Sequence, residues 1–126
     1  MADVQAEGEV LSQSVREGVE QALEGFRNKI LDPRVVKDYK NWSGKIMQYH
    51  FTDSGDYYHI RFADGLPQPA VRGKPEKADV TYEMSTQVFL AMSRKEISGL
   101  KAYAMGKVKV RAAMPDLLKL QKLDSL

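Results

Sequence analysis

Residues 47–62 read MQYHFTDSGDYYHIRF, and this stretch decides the fold. Every second residue on either side of a central Asp-Ser-Gly-Asp segment is apolar, namely Met47, Tyr49, Phe51, Tyr58, Ile60 and Phe62. Alternation with a period of two is typical of a strand that buries one face, and the central residues favour a reversal of the chain. The stretch therefore predicts a β-hairpin with one apolar and one polar face.

An amphipathic helix is predicted before the hairpin, because apolar residues recur there at spacings of three and four. These residues are Leu11, Val15, Val19, Ala22, Leu23, Phe26 and Ile30. Ser14 and Glu17 have the spacing of a capping box, although the apolar stripe also fits a start one turn earlier. Asp32-Pro33 ends the helix, since the residue before a proline disfavours helical geometry.

After the hairpin, strand and helix patterns succeed one another. The predicted elements are a weak edge strand at 69–74, a strand at 80–84, a helix capped by Ser85 or Thr86, a helix at 98–105 that ends at Gly106, a strand at 108–110 and a final helix with Pro115 in its first turn. Each strand has one apolar face, so the helices must cover a single face of the sheet. The fold class is therefore α+β, with two layers and a mostly antiparallel sheet.

The composition narrows the class of protein. The chain has 126 residues, a formal net charge of +2, two His and no Cys. The lack of Cys excludes disulfides and thiol chemistry, and the near-neutral charge disfavours a nucleic-acid binder. Residues 1–9 are polar and lack the pattern of a signal peptide. We therefore expect a disordered tail at 1–9, a single domain at 10–126 and a cytoplasmic location.

Catalytic motifs are missing from the sequence: it has neither a Gly-rich phosphate loop nor two His at ligand spacing on a helix. We predict no catalytic residue, no metal and no cofactor. His50 and His59 fall on the polar side of the hairpin, where two solvated side chains are the simpler interpretation and a shared metal or acid–base role is the alternative. A set of basic residues either forms an ordinary solvated face or attracts an anionic membrane or an acidic partner. The set comprises Arg61, Arg72, Lys74, Lys107, Lys109 and Arg111.

The predicted interior is rich in Met and Tyr, which tolerate irregular gaps and carry a polar tip, respectively. Such an interior fits a solid core or a ligand cavity. Gln121 shares a helical stripe with Met114, Leu117 and Leu118, so its amide either binds a buried partner or, if the helix rotates, meets solvent. The candidate residues for lining a cavity are Tyr49, Phe51, Ile60, Phe62, Tyr82, Met84, Phe89, Met92, Tyr103, Met105, Met114, Leu117, Leu118 and Gln121.

Three segments in sequence resemble the sterol carrier protein type two (sterol-binding domain) family. They are ADVTYEMS at 78–85 followed by Phe89-Leu90, GLKAYAMGKVKV at 99–110, and Met114 with LKLQ at 118–121. The order of elements agrees with that family over roughly residues 10–123. The resemblance implies a five-stranded sheet, helices on one face and a hydrophobic tunnel between the layers.

The resemblance also implies lipid binding, with sterols, fatty acyl chains, fatty acyl-CoA, phospholipids or isoprenoid quinone precursors as ligands. It places six residues along or across the tunnel, namely Phe89, Tyr103, Met105, Met114, Leu118 and Gln121. Ala112-Ala113 stand where the family usually has Gly and then Asn or Asp, and Pro115 replaces a small residue. This change at the tunnel mouth bears on sterol transfer more than on lipid binding. The C-terminal residues 124–126 lack a peroxisomal address, as in a stand-alone, prokaryotic-type member.

The leading hypothesis is a non-enzymatic domain that binds or transfers a lipid. Its expected partners are the lipid itself and, transiently, a membrane surface or lipid-metabolising enzymes, with a monomeric or weakly dimeric state and no nucleic acid. One alternative is a cone-shaped α+β enzyme, which would need a His–Asp pair inside its pocket. The other is a protein-interaction domain with a solid core.

Overall fold

The first helix leads into the sheet layer. In the computed structural model, which describes residues 12–124, helix α1 spans Gln13–Leu31. Ser12 caps it, since Ser12 Oγ accepts a hydrogen bond from the backbone N–H of Val15 at 3.3 Å. The predicted capping box was wrong, because Glu17 instead accepts from the side-chain amide of Gln13 at 3.0 Å. The helix ends before Pro33, as predicted. The tail predicted at 1–9, Leu11 and the C-terminal residues 125–126 lie outside the described residues.

The hairpin that residues 47–62 predict is present. Strand β1 is Ile46–Phe51 and strand β2 is Tyr57–Ala63, paired antiparallel with Tyr49 opposite Tyr58. The turn between them closes with a 2.8 Å hydrogen bond from the backbone N–H of Gly55 to the carbonyl of Phe51. The apolar face of the hairpin is buried, as the alternation predicts.

The sheet has six strands rather than the five expected. Asp64 and Gly65 both have positive φ angles, of 55° and 76°, and turn the chain tightly. As a result the short strand β3 (Leu66–Pro67), which was not predicted, runs back along β2. Strand β4 (Val71–Arg72) then pairs with the other end of the same edge of β2, where a weak edge strand was predicted.

The sheet is mostly antiparallel, as expected, but its central pair is parallel. Strand β5 (Val80–Met84) lies beside β1, with Tyr82 next to Tyr49. The entry of β5 is held in register by Asp79, whose carboxylate accepts from the backbone N–H of Ile46 at 2.9 Å. Strand β6 (Lys109–Arg111) pairs antiparallel with β5 and closes the order β3-β2-β1-β5-β6.

The remaining α-helices have the predicted order: α2, α3 and α4 span Thr86–Ser93, Gly99–Ala104 and Met114–Asp124. A 3-10 helix at Val36–Trp42, which was not predicted, joins α1 to the sheet. Ser85 caps α2 and Ser98 caps α3, each accepting from a backbone N–H three residues on. None of the helices in the described range combines the length and apolar character needed to cross a bilayer.

The core between the layers has a solid part below the 3-10 helix. There the Tyr39 and Trp42 rings meet edge to face with centroids 4.8 Å apart, and both rings contact Phe62. Aromatic pairs in these geometries stabilise a core beyond the area that they bury. The part of the same interior between α1, α2, α3 and α4 is packed much less completely, and it contains the site described next.

Candidate functional site

A cavity of about 830 Å³ lies between the sheet and the helices. All four α-helices contribute to its wall, together with β1, β5, β6 and the loop that joins α2 to α3. The main lining residues are Gly18, Gln21, Ala22, Gly25, Phe26 and Lys29 of α1, Tyr49, Tyr82 and Met84 of the sheet, Phe89, Leu90 and Met92 of α2, Arg94, Lys95 and Ile97 of the loop, Leu100 and Tyr103 of α3, Val108 and Val110 near β6, and Leu117, Leu120, Gln121 and Leu123 of α4.

Small residues on α1 leave space for this cavity. Gly18, Ala22 and Gly25 recur at spacings of four and three, so they fall on one face of the helix. All three line the cavity, and a methyl group added at Gly25 would meet no atom within 4 Å. The apolar stripe of α1, which is dominated by large residues, did not reveal this face. The spacing of the small residues was the signal that could have identified it.

Aromatic rings form much of the sheet side of the cavity. Tyr49 on β1 stacks on Tyr82 of β5, and Phe26 of α1 meets the Tyr49 ring edge to face at 5.8 Å. Phe89 of α2 adds a tilted contact, with its ring centroid 5.6 Å from that of Tyr49. Rings fixed by several neighbours give this wall a defined shape against which an apolar ligand can pack.

The Tyr49 hydroxyl is a polar atom in the interior. It is buried and forms no hydrogen bond within the part of the chain that the structure describes. Burial raises the pKa of Tyr49 well above its ordinary value, because the ionised form would lose its water. This hydroxyl is therefore neutral, and it is a local source of instability next to the cavity.

The structure places the candidate lining residues in three environments. Eight of them line the cavity, namely Tyr49, Tyr82, Met84, Phe89, Met92, Tyr103, Leu117 and Gln121. Phe51, Ile60 and Phe62 are buried but pack in the core rather than along the cavity. Met105, Met114 and Leu118 are more than half exposed and do not line it either.

The orientation of α4 explains part of this division. Asp116, Leu120 and Leu123 form its buried face, at spacings of four and three, so the stripe predicted through Met114 and Leu118 turns toward solvent. Leu117 and Gln121 lie between these two faces and border the cavity. Gln121 is exposed there, which agrees with the rotated-helix alternative.

Three contacts from the start of the sheet and the 3-10 helix set this orientation. Lys45 Nζ lies 3.1 Å from the carboxylate of the buried Asp116. The Tyr39 hydroxyl donates to the carbonyl oxygen of Lys119 at 3.1 Å, and Lys122 pairs with Asp38 at 2.7 Å. Each contact joins residues about 70 to 85 positions apart along the chain, so periodicity on the helix could not reveal them.

The charges along the cavity wall all have the same sign. Its charged lining residues are Lys29 of α1 and Arg94 and Lys95 of the α2–α3 loop, and among the described residues no Asp or Glu joins them. Arg94 pairs with Glu96 at 2.8 Å, outside the lining. Lys29 is half-buried and forms no ion pair with a described residue, so its ammonium group is available to an anion.

The amino-acid sequence matches a known protein family over most of its length. The model of the SCP-2 sterol transfer family matches residues 23–124, which include the sheet and most of the cavity wall. The chain belongs to the SCP-2 sterol transfer family. A search of curated protein sequences finds no match for it.

Solved structures share the SCP-2 fold at low sequence identity. Sterol Carrier Protein 2 Like 2 from Aedes aegypti superposes with a TM-score of 0.65 and 19% identity, over 86% of this chain and 97% of that one. A palmitated form of that protein gives a TM-score of 0.63 at 20% identity, over 85% of this chain and 94% of that chain. The UbiJ-SCP2 ubiquinone synthesis protein gives 0.60 at 13% identity, over 85% and 93%.

The fold also occurs as part of a much larger enzyme. The inverting sec-alkylsulfatase Pisa1 from Pseudomonas sp. matches 72% of this chain with a TM-score of 0.55 and 17% identity. The matched part is only 14% of the sulfatase chain. The likeness to the sulfatase is therefore confined to an SCP-2-like portion of it, and it concerns the fold alone.

The histidines of this SCP-2 domain lie away from the cavity. His50 stacks on Tyr57 with centroids 4.3 Å apart and contacts the Glu83 carboxylate at 3.1 Å, which lowers the pKa of Glu83. The prediction of two solvated histidines was wrong for His59. That residue is 7% exposed, and its Nδ1 lies 2.9 Å from the Gly73 carbonyl oxygen, because the segment after β4 folds over it.

The enzyme alternative needed a His–Asp pair inside a pocket. Among the described residues that line the cavity there is no His. The described residues also hold no group of three or more His, Asp or Glu side chains placed to bind a metal ion. The solid-core alternative needed a void too small for a chain, whereas the cavity measures about 830 Å³.

The segment that departs from the family pattern begins α4. The carbonyl oxygen of Ala113 accepts hydrogen bonds from the backbone N–H groups of Asp116 and Leu117, both at 3.0 Å. Pro115 is the second residue of the helix. A backbone N–H at that position has no intrahelical acceptor, so a proline there costs no hydrogen bond. Ala113 and Pro115 thus start the helix whose residues Leu117 and Gln121 line the cavity.

Proposed function

We propose that this chain is a non-enzymatic carrier that holds a single-chain lipid with an anionic head group in its cavity. Lipid binding in general follows from membership of the SCP-2 family. The observation that carries the narrower proposal is the composition of the cavity wall. Its side chains are mainly apolar, and its charged residues are Lys29, Arg94 and Lys95, all cationic.

The size of the cavity is suitable for such a ligand. Small-molecule sites generally measure about 300–1,000 Å³, and this cavity measures about 830 Å³. Burial of a 16-carbon chain contributes roughly 12 kcal/mol, at about 0.8 kcal/mol per CH₂. Immobilising the lipid in the cavity costs about 4–15 kcal/mol, which offsets much of this gain. The resulting affinity is moderate, as a carrier that must also release its lipid requires.

The charge on the wall distinguishes among the lipids that the family resemblance implies. A carboxylate or a phosphate head group would pair with the half-buried ammonium group of Lys29. A sterol or an uncharged isoprenoid offers no such group. Fatty acids and fatty acyl-CoA are therefore favoured here over sterols. The palmitated relative from Aedes aegypti supports the same choice.

We further propose that the eight candidate residues that line the cavity contact the lipid chain, while Phe51, Ile60 and Phe62 only support the wall from the core. The carrier needs no cofactor or metal and does not bind nucleic acid. It works in the cytoplasm as a monomer or weak homodimer, in transient contact with a membrane or with lipid-metabolising enzymes.

A titration of the delipidated protein with a fluorescent fatty acid tests the proposal. The same chain ending in an uncharged alcohol serves as the second ligand. We expect saturable binding of both, and Lys29→Gln should weaken fatty-acid binding about tenfold at low salt while leaving the alcohol unchanged. Lys77→Gln is the matched control, because Lys77 is an exposed lysine outside the cavity wall.

Two outcomes would contradict the proposal. If neither the fatty acid nor the alcohol binds saturably, the chain is not a lipid carrier. Equal losses for the acid and the alcohol in Lys29→Gln would show that Lys29 shapes the cavity rather than pairing with a head group.

A further inference from the structure

Exposed apolar side chains are concentrated on two helices. In the described part of the chain seven large apolar residues are strongly exposed, and five of them belong to α3, α4 or their ends. We call these five residues the apolar patch: Leu100, Tyr103, Met105, Met114 and Leu118. Helices α3 and α4 pack against each other, so the patch occupies one region of the surface. Large exposed apolar groups of this kind generally mark a binding surface.

The apolar patch adjoins the cavity. Leu100 and Tyr103 are 59% and 54% exposed, yet both also line the cavity wall. On α4, Leu117 borders the cavity while the next residue, Leu118, is exposed. An apolar surface therefore continues from the interior of the site to the outside of the protein. A lipid chain that leaves along this route stays in contact with apolar side chains.

The sequence around the patch is mostly basic. Asp116 is the only acidic residue between Ile97 and Leu123, and it is buried against Lys45. The same stretch has six basic residues, namely Lys101, Lys107, Lys109, Arg111, Lys119 and Lys122. Arg111 and Lys122 pair with Glu83 and Asp38 of other elements, so the excess positive charge rests on the four remaining lysines. Lys101 stands on α3 beside the patch and Lys119 follows Leu118 on α4, whereas Lys109 and Arg111 belong to strand β6.

We propose that the apolar patch docks on the surface of an anionic lipid bilayer. Exposed Leu, Met and Tyr side chains insert at the head-group boundary, and neighbouring lysines attract the anionic lipids. This inference rests on the proposed carrier function, because docking would bring the cavity wall onto the membrane where the lipid is exchanged. A bilayer fits better than an acidic protein groove, because the patch continues into a site for a lipid chain.

Vesicle sedimentation tests the docking. The probes are phosphatidylcholine vesicles with and without phosphatidylserine. We expect at least about tenfold tighter association with the anionic vesicles, weakened by high salt. The double variant Met105→Ser with Leu118→Ser should lose about tenfold in this association. Neither residue lines the cavity, so uptake of the fluorescent fatty acid in vesicle-free buffer should be unchanged.

The matched control is the double variant Leu66→Ser with Val71→Ser. These residues are 44% and 53% exposed, on strands β3 and β4 at the opposite edge of the sheet from β6. Their replacement should leave vesicle association unchanged. Thermal melting of each variant shows whether it is folded.

Vesicle association that is equal in the patch variant and the wild type would overturn the docking proposal. A second result would also overturn it: the wild-type protein binds neither kind of vesicle and forms a concentration-dependent dimer that the patch variant does not form. The patch would then join two copies of the chain. If fatty-acid uptake is normal when either of these two results is obtained, the proposed carrier function still stands. Absent uptake with normal vesicle association would overturn the carrier function alone.

Discussion

Tyr49 and Tyr82 lie side by side on the parallel strands β1 and β5, with their ring centroids 5.1 Å apart and their planes 19° from parallel. Both rings line the cavity. The parallel pairing brings together two segments separated by 33 residues, so this part of the site exists only after the sheet has formed. Tyr49 thus combines a ring stacked within the sheet with a buried hydroxyl that has no hydrogen-bond partner among the described residues.

Tyr49→Phe should stabilise the protein. The substitution removes a buried hydroxyl that has no hydrogen-bond partner in the described structure, and it keeps the ring that stacks on Tyr82. Because an unsatisfied buried polar group costs about 1–3 kcal/mol, the free energy of unfolding should rise by about 1 kcal/mol. Urea denaturation measures the change, and Tyr39→Phe is the control. That variant should lose stability, because the Tyr39 hydroxyl donates to Lys119. A loss of stability in Tyr49→Phe would show that its hydroxyl has a partner.

Gly25→Leu should fill part of the cavity and reduce lipid uptake. The added side chain begins at a position with no atom within 4 Å and extends along the wall that Gly25 lines. A fatty-acid titration should show an affinity reduced at least about tenfold, equivalent to about 1.4 kcal/mol.

The control for this substitution is Gly25→Ala. Alanine adds helix propensity without reaching far into the cavity, so the protein should gain about 0.5–1 kcal/mol of stability and bind lipid normally. Unchanged binding in Gly25→Leu would mean that the lipid does not use the α1 side of the cavity.

Asp116→Asn should loosen α4. The Asp116 side chain is 7% exposed and its partner Lys45 is 32% exposed, so the variant leaves a partly buried ammonium group without its counter-charge. The cost should be about 1–2 kcal/mol, below the range for a fully buried pair because water reaches Lys45. Hydrogen exchange should show faster opening of α4 than of α1. Equal protection of α4 in the variant and the wild type would contradict the assigned role of this pair.

Alkaline pH should destabilise the fold through Tyr58. Burial, reinforced by the hydrogen bond to Glu20, raises the pKa of Tyr58 from its ordinary value near 10 to about 12. As the pH rises, the Tyr58 hydroxyl ionises at a lower pH in the unfolded chain than in the folded protein. The contribution of Tyr58 to the free energy of unfolding is therefore fully present below pH 10 and is lost as the pH rises from about 10 to about 12. Denaturation curves measured across this range should be less steeply pH-dependent in Tyr58→Phe. An identical pH dependence in that variant would contradict the prediction.

Local patterns predicted the hairpin and the Ser85 cap of α2 because their causes are local. Alternation within 47–62 reports which face of a strand is buried, and Ser85 accepts a hydrogen bond from the backbone N–H of Val88, three residues on. The site was predicted less completely. Ile60 and Tyr49 share the apolar face of the hairpin, but only Tyr49 stands beside β5 and the cavity. Alternation treats the two residues alike, since it contains no information about neighbouring strands.

The sequence by itself determined the α+β class, the hairpin and the order of the α-helices and of the main strands. Each of these depends on residue types within one or two turns of the chain. Only the tertiary structure decided the parallel β1–β5 pair, the rotation of α4 and the position of Lys29 on the cavity wall. Those features depend on contacts such as Lys45 with Asp116, which join residues distant in sequence and close only once the layers pack.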